Sequence, residues 1–429
     1  MLAGNYYNHN MSKIVITSLG SHGDINPYMA IGKELHKRGH IVVITTSPYY
    51  ESYIKDHGLE FSPLRPDIQP TNEELYKRVT DPIRGSEYII RELVMPHIKD
   101  SYNDISAAAN GADLIISHVL SHAVPIYAEK HKIKWISTVL SPLVFCSAYE
   151  TPAFPPIPWT SKLRVFGPRF NSMFLTLLKK ISYGWSKPVR QLRKGLGLGP
   201  GRDPLWEGQH SPTRVLALFS NEFGKCLPDW PPQTITCGFP FFDPPSQTSS
   251  ENLEEFMITG ESPVVFTLGS SAVKAAGNFY ETALEVSKEL NIKALFIAGD
   301  RQLSTEGFPN LKFVSWAEHA SVFSRARAIV HSGGVGTTAQ ALRSGKPQLV
   351  IPFANDQFDN ADRIERIGTG HSLAKYKVKK TTFSNALQNL FGSSSIEEKA
   401  KEVGLNIRQE NGSKRAADEI EKVLTSSSS

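Results

Sequence analysis

Two stretches of this 429-residue chain carry chemistry in their spacing. The first runs His331-Ser-Gly-Gly-Val-Gly-Thr-Thr-Ala-Gln340, where an apolar strand pattern ends and a helical one begins near Gly336 and Thr337. Small residues there let the backbone approach a bulky anion, and the first N–H groups of a helix lack intrahelical partners. Together with the helix dipole they form a phosphate site. No Gly-Lys-Ser/Thr follows at the spacing of a P-loop. The second stretch, Pro352-Phe-Ala-Asn-Asp-Gln-Phe-Asp-Asn-Ala-Asp-Arg363, places Asp356 beside Gln357 just after the next strand. A polar loop near the start, Ser18 to Pro27, contains His22 and Asp24.

Other chemistries find no support. No Asp-x-Asp pair lies in a loop suited to a divalent ion, and no HExxH or Cys/His spacing points to zinc. No G-x-S-x-G elbow is present. The three cysteines, Cys146, Cys226 and Cys237, are odd in number and irregularly spaced, which predicts no disulfide framework and a reducing, cytoplasmic setting. No apolar run reaches the roughly 18 residues a membrane helix needs. Residues 1–10 lack the features of a secretory signal and read as a disordered leader, as does the terminal run of serines.

The elements that must hold these residues follow an α/β plan. Lys13–Thr17 and His40–Ser47 are continuous apolar runs around a helix that Pro27 would open and Gly39 would close. Asp113–His118 and Trp135–Leu140 continue the pattern, and 263–270, 293–299, 312–316, 328–333 and 347–353 repeat it. Runs without alternation predict parallel strands covered on both faces. The expected architecture is two doubly wound, Rossmann-like domains, 11–241 and 263–395, facing across a cleft where ligands sit at the carboxyl ends of the strands. A Pro/Ser-rich linker, 242–262, is expected to lack regular structure, and helices over 396–425 to cross back to the first domain.

Taken together, Trp316 to Asn360 resembles the donor-binding signature of the family-1, UDP-glycosyltransferase-like (GT-B) glycosyltransferases, and with the Ser18–Pro27 loop the resemblance spans Met11 to about residue 410. The resemblance implies a nucleotide-sugar donor, with no further cofactor and no metal. Trp316 would stack on the base, the Ala317 backbone would bond its edge, and His319 would lie beside them. Ser270, Ser271, His331, Ser332, Gly333, Gly334, Val335, Gly336 and Thr337 would surround the diphosphate, and Asp356 and Gln357 would bind sugar hydroxyls. Ser332 stands where plant-type members have a phosphate-binding His, and Gln340 where a Glu takes the ribose hydroxyls. Both departures resemble bacterial sterol or lipid glucosyl- and rhamnosyltransferases, so UDP-glucose and dTDP-rhamnose are both candidate donors.

Inverting transfer needs a base within about 2.6–3.2 Å of the acceptor hydroxyl. Where many members read Gly-His-x-Asn-Pro, this chain reads Gly23-Asp24-Ile25-Asn26-Pro27, which makes Asp24 the preferred base and His22 the competitor. The family's helper Asp would fall near His118, and an Asp base needs no tautomer-fixing partner. Apolar walls over Asp81–His97 and Ser141–Trp159 favour a lipophilic acceptor such as a sterol, terpenoid, lipid or polyketide. From Lys162 to Arg202 stand ten Lys or Arg and no Asp or Glu, interleaved with apolar residues, within a chain of net charge +5. That mixture suits an anionic membrane surface better than nucleic acid, for which no binding motif is present. The rival classes are a sugar-nucleotide epimerase, whose extra acidic residues and histidines are not found, and a catalytically silent binding partner, against which the retained Asp24 argues.

Overall fold

The computed structural model describes residues 11–69, 72–243 and 251–426. Seven parallel strands form the first sheet: β1 (Lys13–Thr17), β2 (Ile41–Thr46), β3 (Glu60–Pro63), β4 (Leu114–Ser117), β5 (Lys134–Val139), β6 (Val215–Ala217) and β7 (Thr234–Thr236). Their order is β3-β2-β1-β4-β5-β6-β7. A second parallel sheet of six strands holds β8 (Val264–Thr267), β9 (Ala294–Ile297), β10 (Leu311–Val314), β11 (Ala328–His331), β12 (Gln348–Val350) and β13 (Gly370–Ser372), ordered β10-β9-β8-β11-β12-β13. The α/β expectation holds, and β1, β4, β8 and β11 are buried along nearly their whole length, as strands covered on both faces must be.

In each sheet the chain reverses direction once, between β1 and β4 and between β8 and β11. Loops leave in opposite directions at such a switch point, which opens a crevice at the carboxyl end of the sheet. The crevice of the first sheet is edged by Ser18–Asp24 after β1 and by His118 after β4; that of the second by Gly269–Ala272 after β8 and Ser332–Thr337 after β11.

Three local expectations change. The opening helix runs His22–Lys37, so Asp24 lies in its first turn instead of in a loop. Pro27 sits inside the helix, past its first turn, where it removes one backbone hydrogen bond. A helix, Glu251–Ile258, occupies part of the expected linker; Leu253 and Met257, four apart, bury against Val265, Leu295 and Phe323 of the second domain. Residues 244–250, the leader 1–10 and the last three serines lie outside the described residues.

The C-terminal helices are Ser394–Gln409 and Gly412–Thr425. The second buries Ala416, Ala417, Ile420 and Val423 in the core of the first domain, with Ile31 and Leu35 of the opening helix. Arg38 fastens it there, meeting Asp418 and Glu421 at 2.7 Å each.

Candidate active site

Asp24 owes its position to a capping box. Ser21 caps the opening helix, and the Asp24 carboxylate reaches back to the cap: Oδ2 accepts from the Ser21 N–H at 2.8 Å and from its hydroxyl at 3.2 Å. The positive end of the helix favours the anion as well. Gly20 is required for this arrangement. Its φ is +137°, and a Cβ there would fall 2.2 Å from Asp24 Oδ2.

The second oxygen, Oδ1, lies 3.7 Å from Nε2 of His118. His118 is buried, and its Nδ1 accepts the Leu120 N–H at 3.3 Å, which leaves the ring proton on Nε2, directed at Asp24. Sequence reasoning missed this partner: the position of the family's helper Asp is filled by an imidazole, so the pair is an Asp–His pair in reversed order. His22 points elsewhere. Its ring lies edge-on to Tyr50 and Tyr53, 5.1 Å from each, and burial lowers its pKa, so it is neutral at neutral pH.

Across the cleft, Gly334 precedes the helix Val335–Ser344, which has no side-chain cap. Thr338 N–H is the first to bond back, to Gly334 O at 2.9 Å, so the N–H groups of Val335, Gly336 and Thr337 point outward. This helix start meets the opening helix end to end: a Cβ on Gly336 would stand 3.5 Å from Gly23 Cα. Two positive helix termini thus converge where the sheets' switch points face one another. Gly333 has φ +87°, and a Cβ on it would meet Val350 Cγ1 at 2.7 Å.

Asp356 and Gln357 begin the helix Gln357–Ile367. Asn360 Nδ2 donates to Asp356 Oδ2 at 2.7 Å and to Gly333 O at 2.8 Å, tying this helix to the glycine turn. Burial pushes the Asp356 carboxyl up to about 7, and Asp24 facing it adds to the rise. Gln357 Oε1 accepts from the Phe353 and Ala354 N–H groups at 2.8 and 3.1 Å, so only its amide N–H₂ remains for a ligand.

The remaining expected residues divide. Trp316 is 64% exposed, its indole outward, with Ala317 buried behind it. Thr337 faces the Gly269–Ala272 turn, its hydroxyl 3.3 Å from where a Gly269 Cβ would sit. Ser270 and Ser271 belong to that turn; their side chains lie outside the described residues. His331 is turned inward. It is fully buried, Nε2 meets Gln348 Oε1 at 3.0 Å and Nδ1 accepts the Gly333 N–H at 3.1 Å, so it shapes the turn and presents no atom to a donor. Ser332 is likewise buried, donating to Leu268 O at 2.8 Å. His319 stacks on Phe323 at 4.6 Å, and burial drops its pKa to about 4. Gln340 donates to Asp243 at 3.0 Å, at the rim of a 380 Å³ cleft shared with Ala320, Ser324 and Arg343. Among the described residues, no group of three or more His, Cys, Asp or Glu is placed to hold a metal ion.

Comparison with known proteins agrees with this fold. The glycosyltransferase family 28 N-terminal domain matches residues 14–148, and the erythromycin biosynthesis protein CIII-like C-terminal domain matches 283–426. The chain is 27% identical to O-mycaminosyltylonolide 6-deoxyallosyltransferase of Streptomyces fradiae over 95% of its length and 97% of that protein's. It is also 27% identical to the sterol 3-beta-glucosyltransferase of Pichia angusta, over 95% of this chain but only 33% of the relative, so it spans about a third of the sterol enzyme. Among solved structures, the kitacinnamycin glycotransferase superposes with a TM-score of 0.70 at 20% identity, covering 97% of this chain and 100% of that one. A spinosyn rhamnosyltransferase complexed with thymidine diphosphate superposes at 0.67 and 16%, covering 96% and 100%. Two Rossmann-like sheets with their switch points face to face, matched in chain order by a glycosyltransferase family 28 N-terminal domain and an erythromycin biosynthesis protein CIII-like C-terminal domain, make this chain a member of the family-1 GT-B glycosyltransferases.

Proposed function

We propose that this glycosyltransferase moves a hexose, from UDP-glucose by preference, to a hydroxyl of a lipophilic acceptor with inversion, and that Asp24 is the general base. The carrying observation is the division of labour at Asp24: one carboxylate oxygen is tied into the helix cap, the other faces the cleft beside His118. In the reaction Asp24 takes the acceptor's hydroxyl proton as that oxygen attacks the anomeric carbon. The bond from that carbon to the diphosphate breaks on the opposite side. The leaving-group charge falls to the open N–H groups of the Val335–Ser344 helix start, with no metal and no cofactor beyond the donor. Trp316 stacks on the base, and Asp356 and the Gln357 amide bind sugar hydroxyls.

A second donor, dTDP-rhamnose, has one observation in its favour. Gln340 is turned toward Asp243, an arrangement less suited than a free Glu to gripping two ribose hydroxyls. The named activities of the relatives, on O-mycaminosyltylonolide and on sterols, support a lipophilic acceptor, and the basic stretch 162–202 supports peripheral contact with the cytoplasmic face of a membrane. The test is turnover with UDP-glucose, UDP-GlcNAc and dTDP-rhamnose, each with and without a panel of sterol, terpenoid and polyketide alcohols. Transfer to free sugars alone would remove the lipophilic acceptor, and donor conversion without any acceptor would replace the transferase reading with an epimerase.

A further inference from the structure

The helix Gly167–Ser182 is amphipathic with its apolar stripe on the outside. Only Asn171 and Leu175, on one face, are buried. That face is firmly seated: Asn171 Nδ2 donates to Ala148 O at 2.8 Å, the Ser182 hydroxyl accepts from Trp206 Nε1 at 3.0 Å, and Lys179 pairs with Glu207. On the outer face, Phe166, just before the helix, and Phe170, Met173, Leu177 and Ile181 recur every three or four residues and are 46–72% exposed. A surface helix normally turns such a stripe inward. Five large apolar side chains in one line on a water-facing helix mark an interaction surface.

The charges say what covers it. Arg169 and Lys180 follow one edge of the stripe, and Lys162, Lys187 and Lys194 stand on the adjoining segments; all five are exposed. Among the described residues, none of the five has a carboxylate partner. No Asp or Glu occurs anywhere from 162 to 202. A second copy docked symmetrically would bring these cations against themselves, an isologous contact without counter-charge. A nucleic-acid backbone would satisfy the cations but leave the stripe in water. An anionic bilayer surface satisfies both, taking the apolar side chains to the acyl boundary and the cations among the headgroups.

We infer that Gly167–Ser182 and its flanks dock the protein on anionic lipid, with the Phe166–Ile181 stripe inserted and the lysines and arginines at headgroup level. The flanking segment also leads to the active site. Arg164 pairs with Asp362 at 2.7 Å, on the helix that begins beside Asp356, so docking sets the cleft next to the bilayer. The inference rests on the proposed lipophilic acceptor for its purpose but not for its geometry.

The test is co-sedimentation of the full chain with phosphatidylcholine vesicles, with and without phosphatidylglycerol, at low and high salt. Binding is expected on the anionic vesicles only, and weaker in high salt, each exposed cation contributing roughly fivefold to partitioning. Met173→Asp with Leu177→Asp should lower partitioning roughly tenfold or more. Arg169→Glu with Lys180→Glu is a second, purely electrostatic variant with the same expected direction. Both should keep the wild-type melting temperature and rate of UDP-glucose hydrolysis. Undiminished vesicle binding by both variants, equal binding to neutral vesicles, or a dimer that the Asp variant dissolves would overturn the inference. Vesicle binding without transfer to any lipophilic alcohol would instead sink the proposed function and leave docking standing.

Discussion

A carboxylate can act as a base only if one oxygen is free to face the substrate, and Asp24 meets that condition because the capping box uses the other. Asp24→Asn keeps the size and the cap contact but removes the basic oxygen. It should lower kcat by about 10²–10⁴ while leaving the donor Kd from calorimetry unchanged. His22→Ala should leave kcat within a few-fold, since the His22 ring is packed edge-on against Tyr50 and Tyr53. The opposite pattern would make His22 the base. His118 touches no reacting atom in the proposed scheme; with Nε2 3.7 Å from Asp24 Oδ1, it is placed to act as a positioning residue. His118→Ala is therefore expected to reduce kcat about tenfold with donor affinity intact. A change in donor affinity alone would show that the imidazole serves the fold instead. The Asp24–His118 contact was not legible in the sequence. The two residues are distant along the chain and meet only because β1 and β4 are neighbours at the switch point.

At the scale of elements, the strands could be read because their apolar runs are long and bounded by glycine and polar residues. The glycine-rich turn could be read as well, since few side chains survive where a strand bends into a helix start. The opening helix could not be placed correctly: Gly23, Asn26 and Pro27 all lower helix propensity, and its true signal, Ser21 with an acid three residues on, is the weaker Asp form of the capping box. Ser21→Ala should cost about 1 kcal/mol, seen as a melting temperature lower by roughly 2–4 °C. Gly20→Ala should cost more, about 1–3 kcal/mol, because it combines an unfavourable φ with the clash against Asp24, and kcat should fall with it. If Gly20→Ala melts and turns over like wild type, the geometry ascribed to the Asp24 cap is wrong. The helix Glu251–Ile258 escaped notice because proline and serine dominate its surroundings, although Leu253, Phe256 and Met257 have helical spacing. The helix start at Val335 leads to another expectation. With the diphosphate charge carried by backbone N–H groups, turnover should be unchanged in EDTA, and complete loss on chelation would require a metal to take that role.

The helix that follows Asp356 supplies several of the contacts between the two domains. Ala153 N–H donates to Asp359 at 3.0 Å, Arg363 meets Glu150 at 3.0 Å, the Ser141 hydroxyl reaches Asn360 at 3.1 Å, and Ser86 meets Asn355 at 3.0 Å. None of these partners could be matched from sequence, because each pair joins segments of different domains that lie far apart along the chain. Their effect is to hold Asp356 half-buried opposite Asp24, and desolvation first, then that facing charge, raises its carboxyl from 3.8 to about 7. The sign of the consequence is fixed by linkage. Between these two values the folded protein holds a proton that the unfolded chain has released, so stability falls as pH rises through the interval. The ligand-free protein should therefore melt at progressively lower temperature from about pH 4 to about pH 7. Asp356→Asn, which has no proton to lose, should flatten that part of the curve, and the two melting profiles should diverge most near pH 7. Asp24→Asn should show a partial version of the same effect by removing the facing charge. Parallel profiles for wild type and Asp356→Asn across this range would mean that the two carboxyls do not share a closed cleft in solution, and the catalytic geometry would then have to be assembled by the donor itself.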